Sequence, residues 1–259
     1  MDEDTGDTLK ITEYIEGLEA AGRGLADAAA EAGPDAEVPT CPGWRVRDLL
    51  RHTAMVHRWA TTLVAEARTT YHPGDGETTL DGEELLAHFR EGHARLVAAL
   101  RSAPENLECW TFLPARSPLA FWARRQTHET TVHRADAESA LASGPGPVDP
   151  AVAADGIDEL FGAFHARDRS RVRTPGPRTL RVRATDTGDV WTVRLSPTEA
   201  PRTERGDPGA AAPADTELSG PAGRLYLTLW NRLPIEAVTL TGDEELARLW
   251  RETSAITWS

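Results

Sequence analysis

The chain has 259 residues, with 28 basic and 41 acidic side chains and a formal net charge of −13 at pH 7, and a surface so acidic repels a phosphate polyanion, which argues against a nucleic-acid partner. The length suits two ordinary domains better than one, and the two cysteines, Cys41 and Cys109, are too few for a disulfide framework and lack any CxxC spacing. The start, MDEDTGDTLK, is acidic where a secretory signal needs a basic and then an apolar stretch, and no run of about 18 apolar residues occurs, so a cytoplasmic protein without membrane spans is expected, a monomer by default.

From Thr8 to about Ala32 the apolar residues Ile11, Tyr14, Ile15, Leu18, Ala21 and Leu25 recur at spacings of three and four, the period of one helix face. The turn-rich AGPDAEVPTCPGW ends that helix, since Gly33 and Pro34 stop it and Pro39 and Pro42 favour extended backbone. A second helix runs from about Val46 to Ala67, with Leu49, Val56, Trp59 and Leu63 on its apolar side. The stretch Tyr71 to Asp81 is polar, and Leu85, Phe89, Leu96 and Leu100 then mark a third helix ending near Arg101. Ser117 and Pro118 start a fourth, from near Leu119 to about Ala142. Four consecutive amphipathic helices imply a bundle, with sites built from side chains on facing helices.

Ser143 to Pro150, SGPGPVDP, reads as a linker. Beyond it a helix from about Ala151 to Arg167 leads into two alternating runs, Thr179 to Ala184 and Val190 to Leu195, joined by the turn Asp186-Thr187-Gly188-Asp189. Pro197 to Ala214, rich in Pro, Ala and Gly, reads as a mobile loop. A helix from about Pro221 to Asn231, a short strand around Val238 to Leu240 and a helix from Asp243 to Thr253 complete the chain. The expected fold class is α+β: a four-helix bundle over residues 1–145 and a small α/β domain over 151–259.

The fourth helix carries HETTVHR, His128 to Arg134. At about 100° per residue, positions four apart share a face and positions five apart do not. Glu129 and His133 therefore pair, His128 points elsewhere, and the HExxH metalloprotease spacing is not met. Trp122, Gln126, Glu129, His133, Asp136 and Ala140 form one stripe, so the pair faces the bundle interior, where it needs a metal or a hydrogen-bonded partner. On the second helix His52 shares a stripe with Leu49, Val56, Trp59 and Leu63 and also faces inward, as a third ligand or as a core histidine. Three such ligands on two helices suit Zn²⁺, or another divalent metal, with one position open to substrate. His57, five residues on, is read as structural or surface.

The strings VPTCPGWRVRDLLRHTAMVHRWA and WARRQTHETTVHRADAE, with the later GRLYLTLWNRLP and TGDEELARLW, resemble the signatures of the mycothiol-dependent maleylpyruvate isomerase family, whose N-terminal domain is a DinB-like four-helix bundle. The resemblance spans nearly the whole chain. It implies Zn²⁺ held by His52, Glu129 and His133, with mycothiol, a low-molecular-weight thiol, as cosubstrate. It further implies a C-terminal domain that helps close the active site and supplies an arginine, for which Arg232 is the candidate and Arg224 the second. A metal-held thiolate attacking a small electrophile would give an S-transferase, or a cis–trans isomerase if the thiol leaves again. Cys41 sits where a helix N-terminus could favour a thiolate, but TCPGW belongs to the structural signature, so packing roles are expected for Cys41 and Trp44. Two other readings use the same bundle: a metal-dependent hydrolase that needs no thiol, and a zinc-binding regulatory module. The HxxxCxxC string of such modules is missing here.

Overall fold

The computed structural model describes residues 9–206 and 213–256. It divides into two compact units, Met1–Gly146 and Pro147–Ser259. Among the described residues no helix is long and apolar enough to cross a membrane.

The first unit is a bundle of α1 (Ile11–Ala32), α2 (Val46–Ala65), α3 (Gly82–Ser102) and α4 (Pro118–Glu138). Thr8, where the sequence pattern starts the first helix, lies outside the described residues. The helix starts follow local chemistry: Asp81 accepts from the Gly82 N–H at 2.8 Å, and Ser117 accepts from the Ala120 N–H at 3.1 Å with Pro118 as the first helical residue. Two ends differ from expectation. α2 stops at Ala65 because Ala67 takes a left-handed φ of 48°, and α4 stops at Glu138, with Ser139 to Gly144 forming turns.

Leu25, Leu49, Leu85 and Phe89 have no exposed surface and hold α1, α2 and α3 together, each contributing about 1.5–3 kcal/mol by burial. Cys41 and Trp44, in the loop before α2, pack on this cluster. Between Val38 and Trp44 the loop closes on itself, with the Val38 N–H donating to the Trp44 carbonyl at 3.0 Å, and Gly43 supplies the φ of 88° that the turn needs. The long connections are pinned by indoles: the Trp59 Nε1–H donates to the His72 carbonyl at 2.6 Å, and the Trp122 Nε1–H to the Trp110 carbonyl at 2.9 Å.

α4 is the exceptional element. From Leu119 to Ala137 nearly every residue is buried, including Arg125, Gln126, His128, Glu129, Thr130, His133 and Asp136. It lies against α1 on one side and α2 on the other. Thr127 Oγ1 donates to the Tyr14 carbonyl at 2.7 Å, the His128 ring meets Tyr14 edge-on, and His57 Nε2 meets Thr130 Oγ1 at 2.9 Å. The last contact makes His57 structural, with no exposed surface.

The second unit contains α5 (Pro150–Glu159) running into a π-helical turn (Leu160–His165), then β1 (Arg178–Ala184), β2 (Val190–Leu195), β3 (Arg202–Arg205), β4 (Thr216–Gly220), α6 (Ala222–Leu229), a 3₁₀ turn (Ile235–Ala237), β5 (Thr239–Gly242) and α7 (Glu244–Thr253). The sheet order is β3-β2-β1-β4-β5; β1 and β4 are parallel and the other pairs antiparallel. The expected hairpin is β1–β2, with Leu180 opposite Val193 and a positive φ at Gly188 in the turn. Two strands were not expected. β3 lies inside the stretch read as a mobile loop, whose residues 207–212 fall outside the described residues. β4, TELSG, has one apolar side chain, Leu218, and owes its strand conformation to pairing on both edges rather than to an apolar pattern of its own. The wider π turn ends the helix short of Arg167 and sets Phe161 and His165 against Trp250, with ring centroids 5.4 and 4.8 Å apart.

Gly242 closes β5 opposite Thr216 at φ 95°, and a Cβ there would stand 2.2 Å from the Asp215 carbonyl oxygen. Gly242→Ala should therefore destabilise the second unit by about 1–3 kcal/mol, read as an earlier urea transition followed by the fluorescence of Trp191 and Trp250.

Candidate metal centre

His52 on α2 and Glu129 and His133 on α4 converge. Each offers one ligand atom, and those atoms lie within 4.8 Å of one another. His133 Nε2 is 3.2 Å from Glu129 Oε1, His52 Nε2 is 3.8 Å from the same oxygen, and the two imidazole rings meet edge-on with centroids 5.2 Å apart. His52 is the more open of the three, and its ring is flanked by Trp44 at 5.2 Å, with Glu77 Oε1 3.8 Å from Nδ1. His128 points away from the cluster, toward Tyr14.

The sequence pattern placed Asp136 on the inward stripe without giving it a role. The structure shows what it does: Asp136, with no exposed surface, takes a 2.9 Å hydrogen bond through Oδ2 from His133 Nδ1, while Oδ1 accepts from Thr40 Oγ1 at 2.6 Å. With Nδ1 engaged, His133 directs Nε2 at the cluster, the arrangement of a ligating histidine fixed by a carboxylate behind it. The i, i+3 spacing from His133 was the available signal. On the far side of Glu129, Arg125 Nη2 lies 3.2 Å from Oε2, so both carboxylate oxygens are held. Arg125 was missed because it lies outside the His–Glu–His pattern.

Electrostatics follow from this packing. Burial works against ionised Glu129, yet the hydrogen bonds from His133 and His52 and the charge of Arg125 outweigh it and hold the carboxyl well below its ordinary range. Burial likewise works against charged His133, but Asp136 and Glu129 raise its pKa to about 9. His57, buried beside His93, is pushed well down. The donor set fits a divalent cation such as Zn²⁺, with two imidazole nitrogens and one ionised carboxylate oxygen on rigid helices, and three protein ligands leave a coordination position free. Among the described residues this is the one such group of histidine, cysteine and acidic side chains.

Arg232 and Arg224 belong to the second unit. Arg232 is half-buried and donates through Nη1 to the Trp230 carbonyl at 2.8 Å; Arg224 donates to the Ala237 carbonyl at 3.4 Å.

A four-helix bundle holding the His52, Glu129 and His133 cluster, followed by a unit built on a five-stranded mixed sheet, defines a two-unit α+β protein. The first part of the chain matches the family model described as the mycothiol maleylpyruvate isomerase N-terminal domain over residues 15–138, and the second matches the MDMPI C-terminal domain over residues 151–249. The chain belongs to the mycothiol-dependent maleylpyruvate isomerase family. A crystal structure of the mycothiol-dependent maleylpyruvate isomerase shares the fold at TM-score 0.62 and 14% identity, covering 90% of this chain and 93% of that one. A variant of that enzyme with a histidine replaced by alanine aligns at TM-score 0.61, with the same identity and coverage. No curated protein sequence matches the chain.

The raised pKa of His133 has a stability consequence in metal-free protein. The protonated imidazole contributes stability that is fully present below its unfolded value of about 6.5 and is lost as pH rises through about 9. Chelator-treated protein should lose thermal stability across that window, and Asp136→Asn, which leaves His133 without its carboxylate, should flatten the dependence and cost about 1–3 kcal/mol near neutral pH.

Proposed function

We propose that the chain is an enzyme that binds Zn²⁺, or another divalent metal, at His52, Glu129 and His133, and uses mycothiol to attack an electrophilic small molecule. The observation that carries this reading is the convergence of three ligand atoms within 4.8 Å, with His133 oriented by a buried carboxylate. Membership of the family supports mycothiol as the thiol. When bound, the metal would supply a Lewis-acid position that holds a thiol sulfur as thiolate at neutral pH, where a free thiol is mostly protonated.

The chain's own residues do the rest. Asp136 keeps the proton on His133 Nδ1 and so leaves the Nε2 lone pair for coordination. Arg125 fixes Glu129 by its second oxygen and adds to the hydrogen bonds from His133 and His52 that keep it ionised, and Trp44 limits the orientations open to the His52 ring. Burial of Glu129 and His133 limits competition from water. In the proposed reaction the sulfur adds to an electron-poor carbon, and the electron pair of the double bond moves to a conjugated carbonyl. Rotation about the former double bond and expulsion of the same thiolate complete a cis–trans isomerisation; retention of the S–C bond, with the enolate taking a proton from solvent at carbon, completes a transfer. Arg232 is the residue proposed to hold a substrate carboxylate or the developing negative charge.

Purified protein should carry about one zinc per chain, and His52→Ala and His133→Ala should each remove metal together with mycothiol binding; normal metal content in both variants would sink the assignment. Loading metal-free protein at pH 7 should release about one proton, from His133, with release vanishing above pH 9. Arg232→Ala should raise KM for a carboxylate electrophile at least tenfold without changing metal content. Turnover of an ester or amide without mycothiol would instead favour a hydrolase.

A further inference from the structure

The histidines of the cluster stand in matching poses. His133 turns Nε2 to Glu129 Oε1 and Nδ1 to a carboxylate, that of Asp136. His52 does the same from α2: Nε2 lies 3.8 Å from Glu129 Oε1, and Nδ1 lies 3.8 Å from Oε1 of Glu77. A ring nitrogen that holds a cation presents its lone pair, so in each ring the remaining proton belongs on Nδ1, the side on which the second carboxylate stands.

Glu77 reaches His52 from the connection between α2 and α3, which has no helix or strand of its own from Tyr71 to Leu80. Side chains of α2 fasten that connection along its length. The Trp59 indole donates to the His72 carbonyl at 2.6 Å, Arg58 Nη2 to the Gly76 carbonyl at 3.2 Å and Arg51 Nε to the Leu80 carbonyl at 3.1 Å. Gly76, at φ 79°, makes the turn directly before Glu77. The backbone on either side of Glu77 is therefore held along α2, and the side chain is carried to the open edge of the cluster.

The choice of partner is selective. Arg51 and Arg58 grip the same connection, yet neither pairs with Glu77: Arg51 lies against Asp48 and Arg58 against His88. Among the described residues the one ionisable group within ion-pair distance of Glu77 is His52. An exposed ion pair by itself is worth little, and what gives this one meaning is the atom it meets, Nδ1 of the ring whose Nε2 faces Glu129. At 3.8 Å the pair is longer than a hydrogen bond, and the half-exposed Glu77 side chain has the rotameric freedom to close the difference.

We infer that Glu77 is a positioning residue for His52, accepting its Nδ1–H as Asp136 accepts that of His133, so that a carboxylate stands behind each histidine of the metal centre. This role rests on His52, Glu129 and His133 holding zinc, so the measurement is the zinc affinity of the full-length protein, by competition with a chromophoric chelator. Glu77→Ala should weaken zinc binding at least about tenfold, with the circular dichroism spectrum and thermal midpoint of the metal-free protein unchanged. Glu77→Gln, whose amide oxygen still accepts the N–H, should regain part of that loss. Asp75→Asn removes the same charge from the same connection and should leave the affinity unchanged to within about twofold. In zinc-loaded, ¹⁵N-labelled protein the His52 ring should carry zinc on Nε2 and a proton on Nδ1, and that proton should exchange with water faster in Glu77→Ala.

A Glu77→Ala affinity within about twofold of the parent, while the parent binds zinc, would overturn the role and leave the metal site standing. Equal losses in Glu77→Ala and Asp75→Asn would reduce Glu77 to a long-range charge, and zinc on His52 Nδ1 would reverse the geometry; either result overturns it. Equal losses in Glu77→Gln and Glu77→Ala, with His52 proton exchange unchanged, would make Glu77 a direct ligand and overturn it as well. A parent protein that takes up no zinc would sink the metal site and this role together, a result told apart from the others by the parent alone.

Discussion

The structure of the first unit turns on one constraint: its most polar helix, α4, is also its most buried. The sequence from Arg124 to Glu138 would suit a solvent-facing surface, yet it lies between α1 and α2 with nearly every side chain out of water. Buried polar groups are tolerated when they satisfy one another or a ligand. Thr127 and Thr130 spend their hydroxyls on neighbouring helices, and Arg125, Glu129, His133, Asp136 and Thr40 form one continuous chain of contacts. The chemistry and the packing of α4 are therefore the same set of interactions.

That dependence explains the graded exposure of the cluster. Asp136 is sealed, Glu129 and His133 are nearly so, and His52 on α2 is the most open. A centre with rigid buried ligands and one more accessible edge is suited to receive a small molecule while keeping its donors in place. The tryptophans play a supporting part: Trp44 bounds His52, and Trp59 and Trp122 tether connections that have no secondary structure of their own.

The second unit obeys a different logic. Its sheet is assembled by partners rather than by pattern, as β4 shows with its single apolar side chain between β1 and β5. A buried indole, Trp191, is secured by Asp158 at 2.6 Å, and Asp158 is in turn paired with Arg205 on β3 at the same distance. The edge strand is thus stapled to α5 through side chains rather than by apolar burial, which is why it escaped notice among Pro, Ala and Gly.

Sequence alone determined the four helices, the β1–β2 hairpin and the linker, because apolar periodicity and capping residues act over a few positions along the chain. It also determined that Glu129 and His133 share a face while His128 does not, since that is a property of the helical repeat. Tertiary structure decided the rest: that His52 meets those two residues across α2 and α4, that Asp136 and Arg125 hold them, and that β3 and β4 are strands. Those outcomes depend on contacts between residues far apart in the chain, and neither side chain type nor local spacing carries the distance between two helices.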